Sequence, residues 1–241
     1  HANIRSSIAC LKSTEKIISL AKKTNGRLHV FHLSTKEEAK LFDKQNDLKN
    51  KKITSEVCIH HLSFHDVDYK TKGNYIKWNP SIKTIEDQNA LWDALISDKI
   101  DVIATDHAPH TFDEKNQSYI DCPSGGPLVQ HSLYIMYEHF LEKRISLEKI
   151  VEKMCHNPAI LFNIKKRGFI REGFFADLVI LKRNQGWVIN KNNILYKCGW
   201  SPFEGKKINS MITHTFVSGN LAYENGVFNQ NIMGKKIEFN S

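Results

Sequence analysis

The residues best suited to chemistry in this chain gather in Asp101 to His110 (DVIATDHAPH), where the carboxylate Asp106 and the imidazoles His107 and His110 follow a short apolar run. A carboxylate and two imidazoles packed this closely cost solvation if they are partly buried without a task, so their concentration points to a working site. A second position of the same kind is His32, near the end of the apolar run Leu28 to Leu33. Imidazole plus carboxylate is the donor mixture expected for zinc or a similar divalent cation, which polarises a carbonyl and acidifies a bound water. Each residue alone has a plainer explanation, a core histidine satisfied by hydrogen bonds or an aspartate capping a helix.

The surrounding elements are those that could bring such groups to one place. Thr14 to Lys23 carries Ile17, Ile18, Leu20 and Ala21 at helical spacing, Asn25-Gly26 ends that helix, and Leu28 to Leu33 reads as a strand. Ser34-Thr35 before Glu37-Glu38 reads as an N-cap opening a helix through Phe42, and Ile53 to Ile59 as the next strand. Glu86 to Ser97 puts Ala90, Leu91, Ala94 and Leu95 on one helical face, ahead of a strand buried on both sides, Ile100 to Thr105. Strands alternating with helices predict a parallel α/β arrangement, and in a (β/α) barrel the working groups project from the C-terminal ends of strands. Pro123 to Pro127 (PSGGP) reads as a loop, Leu128 to Leu141 and Leu147 to Cys155 as helices, and Asn157-Pro158 as the start of another. Beyond about residue 164 the runs Phe169-Ile170, Asp177 to Leu181, Trp187 to Ile189, Ile208 to Val217 and Leu221 to Tyr223 are short, β-rich and separated by Gly and Asn turns, which predicts a small β layer.

Composition narrows the function classes. The chain has 241 residues, 41% of them hydrophobic, and a formal charge of +8 spread in short lysine groups with acidic residues between them. That distribution is a solvated surface able to attract small anions, and it lacks the basic block or aromatic motif of a nucleic-acid binder. No run approaches a membrane span and no secretory leader is visible, so the expected location is the cytoplasm. Cys10, Cys58, Cys122, Cys155 and Cys198 form no CxxC pair and read as reduced thiols, mostly apolar fillers.

The segments HVFHLSTKEE, ITSEVCIHHL, KWNPSIKT, IATDHAPHTFDEK, PSGGP, HNPA and RGFIREGFFADLVIL occur in the order found in dihydroorotases of the amidohydrolase superfamily, and the chain resembles the Bacteroidetes-type bacterial enzymes. The resemblance implies an α/β fold, the C-terminal part of a distorted (β/α)₈ TIM barrel (residues 1–164), followed by a last barrel-flanking segment and a small composite β domain (residues 165–241). It implies reversible, metal-dependent cyclisation of N-carbamoyl-L-aspartate to L-dihydroorotate in pyrimidine biosynthesis, with a divalent metal, Zn²⁺ in a binuclear centre. By position, His32 matches the metal-binding histidine of barrel strand six and Asp106 the strand-eight aspartate that binds metal and shuttles the proton. Asn79 matches the asparagine that hydrogen-bonds the ring, His110 the histidine that approaches the substrate carboxylate, and Ser124-Gly125 a loop whose backbone contacts the ring. His60-His61 are read as adjacent strand residues pointing to opposite faces and packing beside the site, Glu56 as orienting that strand end, His107 as a local hydrogen-bonding group, and Lys83 as a solvated lysine.

The departures from the family pattern weigh equally. The strand-one His-x-His pair, the bridging Lys or Asp, the strand-five His and the substrate-clamping arginine are expected to precede His1, and no substitutes occur here. His1 matches a segment just beyond the strand-five ligand and is not counted as that ligand. With two ligands where a catalytic zinc site uses about three, the isolated chain is expected to bind metal poorly and to be inactive, with strand edges open to a second chain, as in a homodimer. Two alternatives remain: a non-catalytic dihydroorotase-like scaffold subunit, and a hydantoinase- or allantoinase-like cyclic amidohydrolase sharing the strand-end His and Asp.

Overall fold

The computed structural model describes residues 1–44 and 47–240, the side chains of residues 184 and 185 excepted. It separates into two compact units, one of His1–Ile135 with Val188–Lys206 and the other of Met136–Trp187 with Lys207–Ser241.

The first unit is built on three parallel strands in the order β1-β2-β3: β1 (Leu28–Val30), β2 (Ile53–Cys58) and β3 (Val102–Ala104). Leu28 pairs with Ile53 and Val30 with Ser55, while Glu56 pairs with Val102 and Cys58 with Ala104. Helix α1 (Ser7–Thr24) starts earlier than the apolar spacing predicts because the Ser6 side chain caps it, accepting from the Ala9 N–H at 3.3 Å. It ends at Asn25 in the left-handed conformation, φ 54°. Of its apolar residues Ile18 is buried, whereas Ile17 and Leu20 stay exposed. Thr35 caps α2 (Lys36–Ala39) as its sequence predicts, but the helix stops at Ala39, short of the expected Phe42. Helix α3 (Ile59–Ser63) follows β2 without a break and α4 (Tyr69–Lys72) lies further on. Helix α5 (Ile85–Ile96) opens with a capping box between Thr84 and Asp87 and buries Leu91, Ala94 and Leu95, with Trp92 donating to the Leu62 carbonyl at 2.9 Å. After β3 comes α6 (Phe112–Lys115), opened by a Thr111–Glu114 capping box.

The entrance to the sheet is tied by a buried ion pair. The Lys51 ammonium lies 2.7 Å from Oδ1 of Asp101, and Oδ2 of Asp101 accepts from the Ser55 N–H at 3.0 Å. A second polar cluster corrects the solvated reading of Lys83. This lysine is buried, its Nζ donates to Ser81 Oγ at 2.7 Å, and burial lowers its pKa against the raising effects of Cys10, Glu38 and Asp87. Glu38 in turn accepts from Thr14 and Thr35 at 2.7 and 2.9 Å.

In the chain order that leads to the second unit, α7 (Ser132–Leu141) is followed by α8 (Leu147–Val151), a π-helical turn over Glu152–His156, and α9 (Asn157–Leu161). Its four-stranded sheet has the order β4-β5-β6-β7, from β4 (Leu178–Val188), β5 (Lys207–Val217), β6 (Asn220–Glu224) and β7 (Val227–Phe228). Two predicted runs thus merge into the single strand β4. Phe169-Ile170 forms no strand, and the Phe169 ring stacks on His156 at 4.3 Å. The turns Ser218-Gly219 and Asn225-Gly226 all have positive φ (52°, 87°, 45° and 97°), which suits two-residue hairpins and explains the glycines there.

Candidate active site

The strand ends position the two residues of greatest chemical interest in the same way. His32 is the second residue past β1 and Asp106 the second past β3, and each has a positive φ, 40° and 47°. Non-glycine residues rarely adopt this conformation unless their surroundings impose it. Both side chains are partly buried. Burial raises the Asp106 carboxyl pKa, the nearby Glu56 charge adds to the rise, and His32 opposes it. His32, Glu56 and Asp106 are therefore electrostatic neighbours.

Glu56 is held on the sheet by His29, whose Nε2 lies 3.1 Å from its carboxylate while Nδ1 meets Thr54 Oγ1 at 2.8 Å. Beyond β2, His60 and His61 do not alternate across a strand. They sit in α3, both buried, with ring centroids 4.1 Å apart, because the chain turns helical immediately after Cys58. His60 stacks on Trp78 at 4.5 Å, and His61 Nε2 lies 3.2 Å from the Pro80 carbonyl. Burial pushes the His60 pKa well down and that of His61 to about 3, with Lys83 and His32 adding to the shift of His61. Both are neutral rings at neutral pH.

The remaining sequence-predicted residues lie on two neighbouring segments. Gly125 donates its N–H to the Lys77 carbonyl at 2.8 Å, which joins the PSGGP loop to the extended segment that carries Asn79. Asn79 is exposed. His110 reaches the same loop through Nε2, 3.2 Å from the Ser124 carbonyl, while its Nδ1 stands 3.8 Å from Glu114. Gly125 has φ 127°, and a Cβ there would lie 2.6 Å from the Ala108 carbonyl oxygen, so only glycine lets the loop approach the DHAPH segment this closely. Next to Asp106, His107 accepts through Nδ1 from the N–H groups of Leu128 and Val129 at 3.0 and 3.3 Å. His1, not counted as a ligand, has Nε2 2.6 Å from the Trp78 carbonyl and Nδ1 2.7 Å from the Tyr119 hydroxyl.

His32 and Asp106 have the right chemistry for a divalent cation, and the buried Nδ1 of His32 has no hydrogen-bond partner among the described residues. No three His, Cys, Asp or Glu side chains among the described residues converge on one metal position. These residues fit part of a metal centre and do not form a whole one.

Comparison with known proteins supplies the wider frame. The model of the amidohydrolase family matches residues 2–222. The chain belongs to that family. This amidohydrolase chain is 35% identical over 208 residues to a dihydroorotase of Endomicrobium trichonymphae, covering 86% of the chain and 49% of the relative. It is 36% identical over 208 residues to a dihydroorotase of Ligilactobacillus salivarius (85% and 48%) and 32% identical over 220 residues to one of Pyrococcus furiosus (91% and 50%). Among solved structures, the L-hydantoinase (dihydropyrimidinase) of Arthrobacter aurescens superposes with a TM-score of 0.82 at 27% identity, covering 90% of this chain and 49% of that one. The D-hydantoinase (dihydropyrimidinase) of a Thermus species gives 0.82 at 21% identity, covering 96% and 51%. The amidohydrolase chain thus spans about half the length of the relatives it matches, and its fold is part of a TIM barrel of the amidohydrolase type together with a small β layer. No described helix is long and apolar enough to cross a membrane.

Several residues with structural weight at this site were missed from sequence. Trp78, Lys77 and Lys115 are buried against the two segments just described. The Thr111–Glu114 capping box opens α6, which runs to Lys115, but no local pattern marks a lysine as buried.

Proposed function

We propose that this chain is the part of a dihydroorotase that carries one wall of the active site, in a protein that interconverts N-carbamoyl-L-aspartate and L-dihydroorotate. The single observation carrying the reading is the matched pair of strand-end residues, His32 and Asp106, in one conformation at the ends of two parallel strands. The dihydroorotase relatives and the order of the flanking motifs support the substrate.

In this reading His32 and Asp106 are metal ligands. A bound divalent cation, Zn²⁺ in a binuclear centre, supplies carbonyl polarisation and an acidified water. Asp106 takes the proton of the attacking water and returns it to the leaving ring nitrogen. Asn79 offers an amide donor and acceptor to the ring. His110, held at the Ser124 carbonyl through Nε2, approaches the substrate carboxylate. Ser124-Gly125 present backbone to the ring, the close approach resting on Gly125. His60 and His61, neutral and buried, pack beside His32. Residues 1–164 supply the barrel part and 165–241 the flanking segment and β domain. Ligands outside this chain complete the metal centre, so the chain alone is inactive. The protein works in the cytoplasm on small anionic substrates.

The test is product identification with the full open reading frame loaded with zinc. Dihydroorotate should open to N-carbamoyl-L-aspartate and the reverse reaction should close it; hydrolysis of hydantoin or allantoin without that interconversion would assign a different cyclic amide.

A further inference from the structure

We propose that Lys77 and Lys115 are positioning residues that set the distance between the Asn79 segment and the Ser124-Gly125 loop, and so shape the ring-binding wall of the site. This rests on the dihydroorotase reading for the substrate and for the ring-binding roles of Asn79 and Ser124-Gly125; the packing of the two lysines does not depend on it.

Both ammonium groups are buried, Lys115 almost completely. Neither pairs with a carboxylate among the described residues. Lys77 donates to the carbonyl oxygens of Tyr119, at 2.6 Å, and of Cys122. Lys115 donates to the Pro123 carbonyl at 2.9 Å and reaches the Lys77 carbonyl at 3.4 Å. The two charges are thus dissolved in main-chain oxygens of one short stretch, residues 119–123, which leads directly into Ser124-Gly125.

The second half of the argument is the Lys77 carbonyl. It receives the Gly125 N–H at 2.8 Å as well as the Lys115 ammonium, and Asn79 follows two residues later. One peptide group therefore joins the two segments whose spacing a bound ring would feel. Aromatic faces close the arrangement, with Lys77 Nζ 4.4 Å from the Tyr119 ring centroid and Lys115 Nζ 5.9 Å from that of Trp200. A buried ammonium is costly unless its hydrogen bonds are met, and here they go chiefly to main-chain oxygens, with the Cys122 side chain a further partner of Lys115. Apolar side chains would fill the same volume, but they would leave those carbonyls without donors and the loop without a fixed register.

The test is Lys115→Met in the full-length, zinc-loaded protein, read by steady-state kinetics, metal content, melting temperature and hydrogen exchange of residues 119–126. The expected result is a KM for dihydroorotate raised about tenfold with kcat within about threefold, unchanged metal content and faster exchange confined to that stretch. Should this variant fail to fold, Lys115→Gln, which keeps a donor on a shorter arm, is read in the same way. Unchanged KM and unchanged exchange in a folded variant would overturn the proposal. If the wild type does not turn over dihydroorotate, the exchange measurement still decides the clamp, and the substrate reading fails separately.

Discussion

His32 and Asp106 stand two residues beyond β1 and β3 respectively, and both have left-handed backbones, with φ of 40° and 47°. Such conformations cost non-glycine residues about 1–3 kcal/mol each and persist where surrounding structure imposes them. Asparagine tolerates the same region, so Asp106→Asn should fold normally. Its turnover of dihydroorotate should fall by roughly 10²–10⁴-fold, the usual worth of general acid–base catalysis. Near-normal turnover in a stopped assay would remove Asp106 from the proton-transfer role.

Asn79 is exposed on the segment hydrogen-bonded to the Gly125 loop. Asn79→Ala should raise KM by about tenfold, the loss of one or two polar contacts, and leave the zinc content of the purified protein unchanged. Loss of metal with KM intact would place Asn79 among the ligands instead.

The strands and α5 were legible from their residue patterns, and β2, β3 and α5 bury apolar residues as those patterns require, whereas β1 is only half-buried. Ser34-Thr35 announced its helix through a capping pattern, while the capping boxes of Thr84 and Thr111 emerge only in the structure. His60-His61 were misread because a strand and a helical turn meet at Cys58, and a short apolar run carries no period that separates the two. Lys83, Lys77 and Lys115 were invisible as buried groups for a different reason. The partners of Lys77 are carbonyls more than forty residues away and those of Lys115 include the Lys77 carbonyl, so tertiary structure brings them together; Lys83 has a local partner in Ser81, but its burial is likewise set by the fold.

The buried Lys51–Asp101 pair offers a stability measurement independent of catalysis. Asp101→Ala leaves the Lys51 ammonium without its carboxylate and the Ser55 N–H without its acceptor. Removing one partner of such a pair generally costs about 3–5 kcal/mol. Urea unfolding should show a loss of that order; a loss under about 1 kcal/mol would mean that water or another group replaces the carboxylate.

Acid stability should depend on His131. This ring is buried, its Nδ1 lies 3.1 Å from Ser201 Oγ, and burial lowers its pKa from 6.5 to about 4. Between those values the unfolded chain binds a proton that the folded chain does not, so the contribution is complete above pH 6.5 and shrinks as pH falls toward 4. His131→Gln cannot titrate. The stability difference between wild type and variant should therefore shift against the wild type on acidification from neutral pH, by at most about 1.4 kcal/mol per pH unit. A difference that stays constant with pH would show that His131 binds protons equally in the folded and unfolded chain, so that burial does not lower its pKa.

The most direct test of the account is the ratio of kcat/KM for dihydroorotate to that for hydantoin, measured on the full open reading frame with zinc bound. We expect a ratio of at least about 10³, because a site built to hydrogen-bond a substrate group rejects the analogue that lacks it by 10⁴–10⁵-fold in favourable cases. A ratio below one, with Asp106→Asn still abolishing hydantoin hydrolysis, would keep the amidohydrolase site and contradict the dihydroorotase assignment.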